Sequence, residues 1–193
     1  DVYKRQFSST STDICFAVKA NSNIGILQIL ARQGAGFDIV SGGELARVLK
    51  AGGDPKKIVF SGVGKQDWEI IEGLQNKIRC FNVESSAELE KIAQIANSCS
   101  QIAPVSLRVN PNIDAKTHPY ISTGLAESKF GIKIESAEHL FQRAHEDPYL
   151  NLVGIDCHIG SQITEIEPFR AALDILINLC LLYTSPSPRD GHQ

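Results

Sequence analysis

The chain has 193 residues, of which 42% are hydrophobic and 21% are charged, and its formal net charge is −3. This composition is typical of an ordinary globular protein, and the small negative charge argues against a nucleic-acid partner. No apolar run approaches the roughly 20 residues that a membrane-spanning helix needs, so we also predict no membrane partner.

Six apolar segments of β type recur along the chain, separated by helical patterns. In chain order they are DICFAVK, GFDIV, KIVFSG, IRCFNV, PVSLRVN and NLVGIDCHIGS. They begin near residues 13, 36, 57, 78, 104 and 152. Each of the first four intervals has room for one strand and one helix. Almost continuously apolar strands that alternate with helices predict a parallel α/β sheet.

The intervening helices carry recognisable start and stop residues. The pattern NIGILQILARQG ends on Gly34, a residue type common just past a helix C-terminus. Three helices are predicted to begin at a Ser/Thr-x-x-Glu capping box. These pairs are Ser41–Glu44, Ser85–Glu88 and Thr164–Glu167.

Two α/β architectures compete for this pattern. An open, doubly wound nucleotide-binding sheet should have a glycine-rich loop after its first strand, but the residues there are KANSN. The even spacing favours a (β/α)8 TIM-type barrel, which needs eight strands and about 250 residues. We therefore predict a partial barrel with about six of the eight βα units.

The ends of the chain differ from its middle. The sequence contains no Met, and the helical pattern EIEPFRAALDILINL breaks off into a tail of Ser, Pro and Asp. We expect residues 1–6 and 180–193 to be non-native and residues 7–179 to form the partial barrel. The five cysteines are scattered without metal-ligand spacing. They predict reduced thiols, no metal site and a cytoplasmic location, with a plastid as the alternative.

Polar side chains stand at the carboxyl end of almost every predicted strand, where barrels carry their chemistry. In chain order they are Lys19, Asp38, Ser61, Glu84, Arg108 with Asn110, and His158 with Ser161. A lysine at a strand tip is either a surface residue or a nucleophilic amine. Asp38 follows Phe37 within a strand, so its carboxylate needs a partner, which we expect near Lys19. Glu44 is explained equally well by its capping box or by support of a site.

The interval before the sixth strand is about twice the length of the others. It contains the segment NIDAKTHPYISTGLAESKFG, which we interpret as a substrate-binding loop because long insertions after strand tips are commonly functional.

Several segments, from about Asp13 to Leu179, resemble the diaminopimelate decarboxylase family. They are FAVKANSN, GFDIVSGGEL, VFSGVGK, FNVES, LRVNPNIDAKTHPYISTGLAESKFGI and GIDCHIGSQ. This family belongs to the fold-type III pyridoxal-phosphate enzymes, together with ornithine and arginine decarboxylases and alanine racemase. AVKAN is common among basic amino-acid decarboxylases, whereas DAKTHPYISTG is similar to the diaminopimelate enzymes in particular.

The resemblance implies a cofactor, pyridoxal 5'-phosphate, and a reaction, decarboxylation of meso-2,6-diaminopimelate to L-lysine. It implies that Lys19 binds the cofactor covalently, that His158 stacks on the cofactor ring and that Ser161 binds its phosphate. Asp38 and Arg108 match polar residues around the cofactor, and Glu44 matches a possible supporting residue. Lys129 matches a lysine near a dimer seam, which implies a homodimer in the full-length protein.

Other parts that the resemblance implies are missing from this sequence. They include a glycine-rich phosphate loop, a glutamate on an eighth strand and a β-domain with a cysteine and a tyrosine. We therefore expect an enzyme fragment that is inactive alone. The alternatives are a sister decarboxylase of ornithine, arginine or carboxynorspermidine, and a non-catalytic relative that binds pyridoxal phosphate or regulates a partner.

Overall fold

The computed structural model describes residues 5–113, 130–161 and 163–184. Most of the predicted substrate loop, Lys129 included, lies outside the described residues.

Seven parallel strands form the sheet of the described chain. They are β1 (Cys15–Ala17), β2 (Gly36–Ile39), β3 (Ile58–Phe60), β4 (Cys80–Val83), β5 (Ala103–Asn110), β6 (Ile132–Lys133) and β7 (Leu150–Asp156). Strands β1 to β5 are neighbours in chain order, and β5 then pairs with β7 along Ala103–Arg108 and with the short β6 at its end. A doubly wound sheet would reverse its strand order, so the unbroken order confirms the barrel type. Six strands match the predicted ones, and only β6 was not foreseen.

Within the described residues, five helices connect the strands and a sixth follows β7. They are α1 (Ile24–Arg32), α2 (Gly42–Lys50), α3 (Asp67–Gln75), α4 (Ser86–Ser98), α5 (Ile134–Glu146) and α6 (Glu167–Thr184). Gly34, with φ of 71°, follows α1 as predicted for a C-terminal glycine. Helix α6 continues past Leu179 to Thr184. The expected end of the partial barrel at residue 179 stays a prediction.

At two of the three predicted capping boxes the serine caps its helix, whereas Glu44 and Glu88 accept from the N–H of the residue before the serine, Val40 and Glu84. The hydroxyl oxygens of Ser41 and Ser85 accept hydrogen bonds from the backbone N–H groups of Glu44 and Glu88, both at 3.2 Å. The Thr164–Glu167 box is wrong. Helix α6 begins at Glu167 itself, and the carbonyl of Ile166 accepts the first helical hydrogen bond from Arg170. Glu167 is therefore the first residue of the helix, two positions before the one that a capping-box glutamate occupies.

The hydrophobic core lies between the helices and one face of the sheet. Phe37, Phe60, Phe81 and Leu107 are fully buried there, and the rings of Phe60 and Phe81 stack with centroids 5.9 Å apart. Successive side chains on a strand point to opposite faces. The opposite, concave face consequently receives the polar residues that lie between these apolar ones. They include Asp38, Ser61, Asn82, Ser106 and Asp156, which line a hollow of about 680 Å³.

Within the described residues, β1 and β7 lie at the two sides of the sheet, because each pairs with only one other strand, as does the two-residue β6. None of the described helices is both long and apolar enough to cross a membrane.

Candidate active site

A cavity of about 360 Å³ opens at the carboxyl ends of the strands. Five of the six residues that the sequence singled out line it: Lys19, Asp38, Arg108, His158 and Ser161. The polar residues of its wall lie at the ends of six different strands, so residues far apart in sequence meet only through the sheet order.

Lys19 lies in a single 3-10 turn, Val18–Ala20, directly after β1. Val18 is fully buried and fixes the turn, while Lys19 is exposed. Among the described residues, the Lys19 ammonium has no hydrogen-bond or ion-pair partner. An amine presented in this way is available to a ligand that enters the cavity.

Asp38 is held by a chain of hydrogen bonds across three neighbouring strands. The hydroxyl of Ser61 donates to Asp38 Oδ1 at 2.6 Å, and the amide of Asn82 donates to Ser61 Oγ at 3.0 Å. The partner expected for Asp38 near Lys19 is therefore the hydroxyl of Ser61, the residue directly after β3. These two hydrogen bonds fix the orientation of the Asp38 carboxylate at the cavity wall.

Arg108 on β5 contacts acidic groups on both neighbouring strands. Its NH1 lies 2.8 Å from Glu84 Oε1, and its Nε lies 3.9 Å from Asp156 Oδ2. The guanidinium also stands over the ring of Phe130, 5.6 Å from the centroid. An arginine that faces a barrel interior needs such anionic partners, as its alternation in the sequence suggested.

Three titratable groups in the cavity have shifted pKa values, and burial together with the charge of Asp156 raises the pKa of the Cys157 thiol. Burial, reinforced by the charges of Asp38 and Glu84, raises the pKa of Asp156 to about 6 although Arg108 opposes the shift. Desolvation and the positive charges of Arg108 and Lys19 lower the pKa of His158, so its ring is neutral near pH 7. His158 is exposed to the cavity and is therefore not a core histidine.

Glu44 is the sixth predicted residue, and it is absent from the described cavity lining. Its Oε2 accepts a 2.7 Å hydrogen bond from the backbone N–H of Val40, next to the Ser41 cap. Of the two interpretations of Glu44, the geometry therefore favours helix capping.

Sequence reasoning noted Ser61 and Glu84 as strand-end residues without giving them a role, and it missed Asp156, Cys157 and Phe130. Asp156 precedes His158 by two residues, so strand alternation could have placed both on the same face. Phe130 follows the long insertion and reaches Arg108 only in the folded chain.

The cavity suits a small anionic ligand with an electrophilic carbonyl group. Lys19 offers a nucleophilic amine, Arg108 a fixed positive charge, and Ser161 a hydroxyl next to Gly160, whose φ of 146° favours glycine. A cavity of about 360 Å³ also falls in the size range of cofactor pockets. These residues fit pyridoxal phosphate, an aldehyde that carries a phosphate. The described residues include no group of three or more His, Cys, Asp or Glu that could hold a metal ion.

Comparison with known proteins supports the same ligand. Residues 2–184 match the model of the family described as "Pyridoxal-dependent decarboxylase, pyridoxal binding domain". The chain is 60% identical over 166 residues to diaminopimelate decarboxylase of Pseudomonas aeruginosa, and 59% identical over 166 residues to that of Vibrio cholerae. Each alignment covers 86% of this chain and 40% of the relative.

A solved structure is similar as well. The structure of diaminopimelate decarboxylase from Helicobacter pylori complexed with L-lysine superposes with a TM-score of 0.89 at 48% identity. The alignment covers 94% of this chain and 47% of that structure. The chain thus spans less than half the length of the relatives that it matches.

Proposed function

Because the chain belongs to the pyridoxal-dependent decarboxylase family through its pyridoxal-binding domain, we propose that it forms part of a diaminopimelate decarboxylase. The reaction is loss of one carboxyl group from meso-2,6-diaminopimelate to give L-lysine and carbon dioxide. The observation that carries this proposal is the exposed amine of Lys19 in one cavity with Arg108, His158 and Ser161.

Each of these residues has a distinct task in the proposed site. Lys19 would hold the cofactor through its amine, and Ser161 would donate its hydroxyl hydrogen to the phosphate. His158, neutral near pH 7 because its pKa is lowered, would pack its flat ring against the cofactor. Arg108 holds a positive charge at the wall between Glu84 and Asp156.

When bound, pyridoxal phosphate supplies the electron sink that accepts the pair of electrons left by departing carbon dioxide. The protein's part would be to bind the substrate and orient it against the cofactor. Asp38, fixed by Ser61, contributes a negative charge that can accept a hydrogen bond from an amine in the cavity.

The choice of substrate rests on the relatives, because curated diaminopimelate decarboxylases match this chain at up to 60% identity. A homodimer and a cytoplasmic location belong to the same proposal. The five cysteines are free thiols, as expected in a reducing compartment.

The test uses a full-length chimera in which this chain replaces the matching 166 residues of the Pseudomonas aeruginosa enzyme. We expect carbon dioxide release from diaminopimelate and much less from ornithine or arginine. Borohydride reduction with the cofactor, followed by peptide mapping, should place the pyridoxyl group on Lys19. A label on the buried Lys65 instead, or equal rates on all three amino acids, would contradict the proposal.

A further inference from the structure

A buried ion pair lies just behind the cavity wall. Lys65, in the loop after β3, is 3% exposed, and its Nζ lies 2.6 Å from Glu88 Oε1. The same ammonium donates to the backbone carbonyls of Gly62 and Asn82 at 2.7 and 2.8 Å. All three of its N–H bonds are used, so its orientation is fixed.

The pair is connected to the tip of β4. Glu88 Oε2 accepts a 2.8 Å hydrogen bond from the backbone N–H of Glu84, and Lys65 holds the Gly62 carbonyl from the other side. The N–H of Gly62 in turn donates to Glu84 Oε1 at 3.2 Å. Lys65 and Glu88 therefore fix both the backbone of Glu84 and the loop that contacts its carboxylate.

Glu84 connects the Lys65–Glu88 pair to Arg108 in the cavity. Its Oε1 accepts the 2.8 Å bond from Arg108 NH1, and the Glu84 side chain is only 2% exposed. Its other oxygen, Oε2, is buried without a hydrogen-bond partner among the described residues. An unpaired buried oxygen is costly. Folding stability alone therefore gives no reason for a carboxylate at this position, whereas the need to hold Arg108 does.

We propose that Lys65, Glu88 and Glu84 are positioning residues that set the place of the Arg108 guanidinium in the cavity. Of these four residues, Glu84 and Arg108 line the cavity, and Lys65 and Glu88 act through them. The consequence for the cofactor rests on the proposed function, whereas the position of Arg108 can be tested without it.

The structure offers a way to separate positioning from mere stability. Replacement of both members of a buried ion pair by apolar residues is often neutral for stability. The double variant Lys65→Met with Glu88→Leu should therefore stay folded, but it removes the acceptor of the Glu84 N–H. The exposed pair Lys91–Asp67, with Nζ 3.1 Å from Oδ1, is the matched control through Lys91→Met.

The first measurement uses the full-length chimera without cofactor and follows His158 by NMR. Arg108 is one of the causes that lower the pKa of His158. The Glu84 charge raises the same pKa, so the double variant, which keeps Glu84, is the informative one. If the guanidinium moves away from His158, the His158 pKa rises in the double variant, whereas Lys91→Met should leave it unchanged. An unchanged His158 pKa in the double variant would overturn the proposal, whatever the enzyme's activity.

The second measurement is the dissociation constant of pyridoxal phosphate, with the thermal midpoint of each cofactor-free variant beside it. We expect the dissociation constant of pyridoxal phosphate to rise roughly 10- to 100-fold in Glu84→Ala and in the double variant. This is the size of effect that follows the loss of one hydrogen bond to a charged group. The double variant should keep its melting midpoint. Unchanged cofactor affinity in both variants would reject the cofactor part of the proposal. An unmutated chimera that binds no cofactor would instead reject the proposed function.

Discussion

The Ser61 hydroxyl donates to Asp38 Oδ1 at 2.6 Å and accepts from the Asn82 amide at 3.0 Å, so it links three neighbouring strands. These side chains alternate with buried apolar ones, and they give the concave face its polar character. The carboxylate of Asp38 is thereby oriented before any ligand arrives.

Ser61→Ala should remove this orientation. Asp38 loses its donor and Asn82 its acceptor, so we expect a loss of about 1–3 kcal/mol in the free energy of unfolding and a lower turnover in the chimera. Urea unfolding and initial rates measure the two effects. Ser98→Ala is the control, because the Ser98 hydroxyl donates to the Ile95 carbonyl at 2.7 Å on helix α4. Equal losses of turnover in the two variants would contradict a specific role of Ser61.

His158→Ala should weaken cofactor binding and lower turnover without unfolding the barrel. The side chain is exposed, so we expect the free energy of unfolding to change by only about 0.5 kcal/mol. Cofactor titration and thermal melting of the chimera measure the two quantities. A large drop in melting temperature with unchanged cofactor affinity would instead indicate a structural histidine.

Asp156 should make stability depend on pH in an unusual direction. Its pKa is about 6 in the folded chain against 3.8 as the ordinary value, so the folded state binds more protons between these values. This contribution to stability is fully present below pH 3.8 and is lost as the pH rises through about 6.

The Asp156→Asn variant isolates that effect, because it keeps the shape of the side chain and removes the titration. The difference in free energy of unfolding between the chimera and the variant should fall between pH 4 and 6 and level off above pH 6.5. Carboxyl NMR provides a direct measurement. Titration of Asp156 near its ordinary pKa would show that the cavity does not desolvate it.

Gly73→Ala should destabilise the fold even though alanine favours helices. A Cβ at Gly73 would lie 2.7 Å from Cζ of the fully buried Phe81. We expect a loss of about 1–3 kcal/mol, the range found for overpacked cores. Gly43→Ala is the matched control in helix α2, where the nearest atom would be 3.9 Å away. That change should be neutral or stabilising by up to about 1 kcal/mol. Denaturant unfolding compares the two, and equal effects would contradict the packing argument.

The 193-residue chain expressed alone should be inactive and prone to aggregation. Within the described residues, β1 and β7 each pair with a strand on one side only. Open edges invite pairing with other chains. The exposed side chains of Phe169 and Leu173 on helix α6 add apolar surface. Light scattering, cooperative melting and carbon dioxide release from diaminopimelate test this expectation. A soluble, active chain with a sharp melting transition would refute it.

Local sequence determined the elements of this protein and several of its cavity residues. Three signals depend only on residues close by in the sequence: apolar strands, glycine at helix ends and capping serines. Their pattern could therefore be interpreted without knowledge of the fold. The even spacing indicated a barrel, and the barrel placed Lys19, Asp38, Arg108 and His158 at one end. The wrong prediction at Thr164 shows the limit of such motifs, because helix α6 begins at Glu167 and the carbonyl of Ile166 accepts its first hydrogen bond.

Only the tertiary structure decided which of these groups contact one another. Arg108 and Glu84 are 24 residues apart, and the ion pair of Lys65 joins a loop to a helix on the next unit. The strength of these two ion pairs depends on burial and on distances of about 3 Å, which follow from strand order and register rather than from composition. The raised pKa of Asp156 has the same origin, because desolvation and neighbouring charges exist only once the strands have been brought side by side.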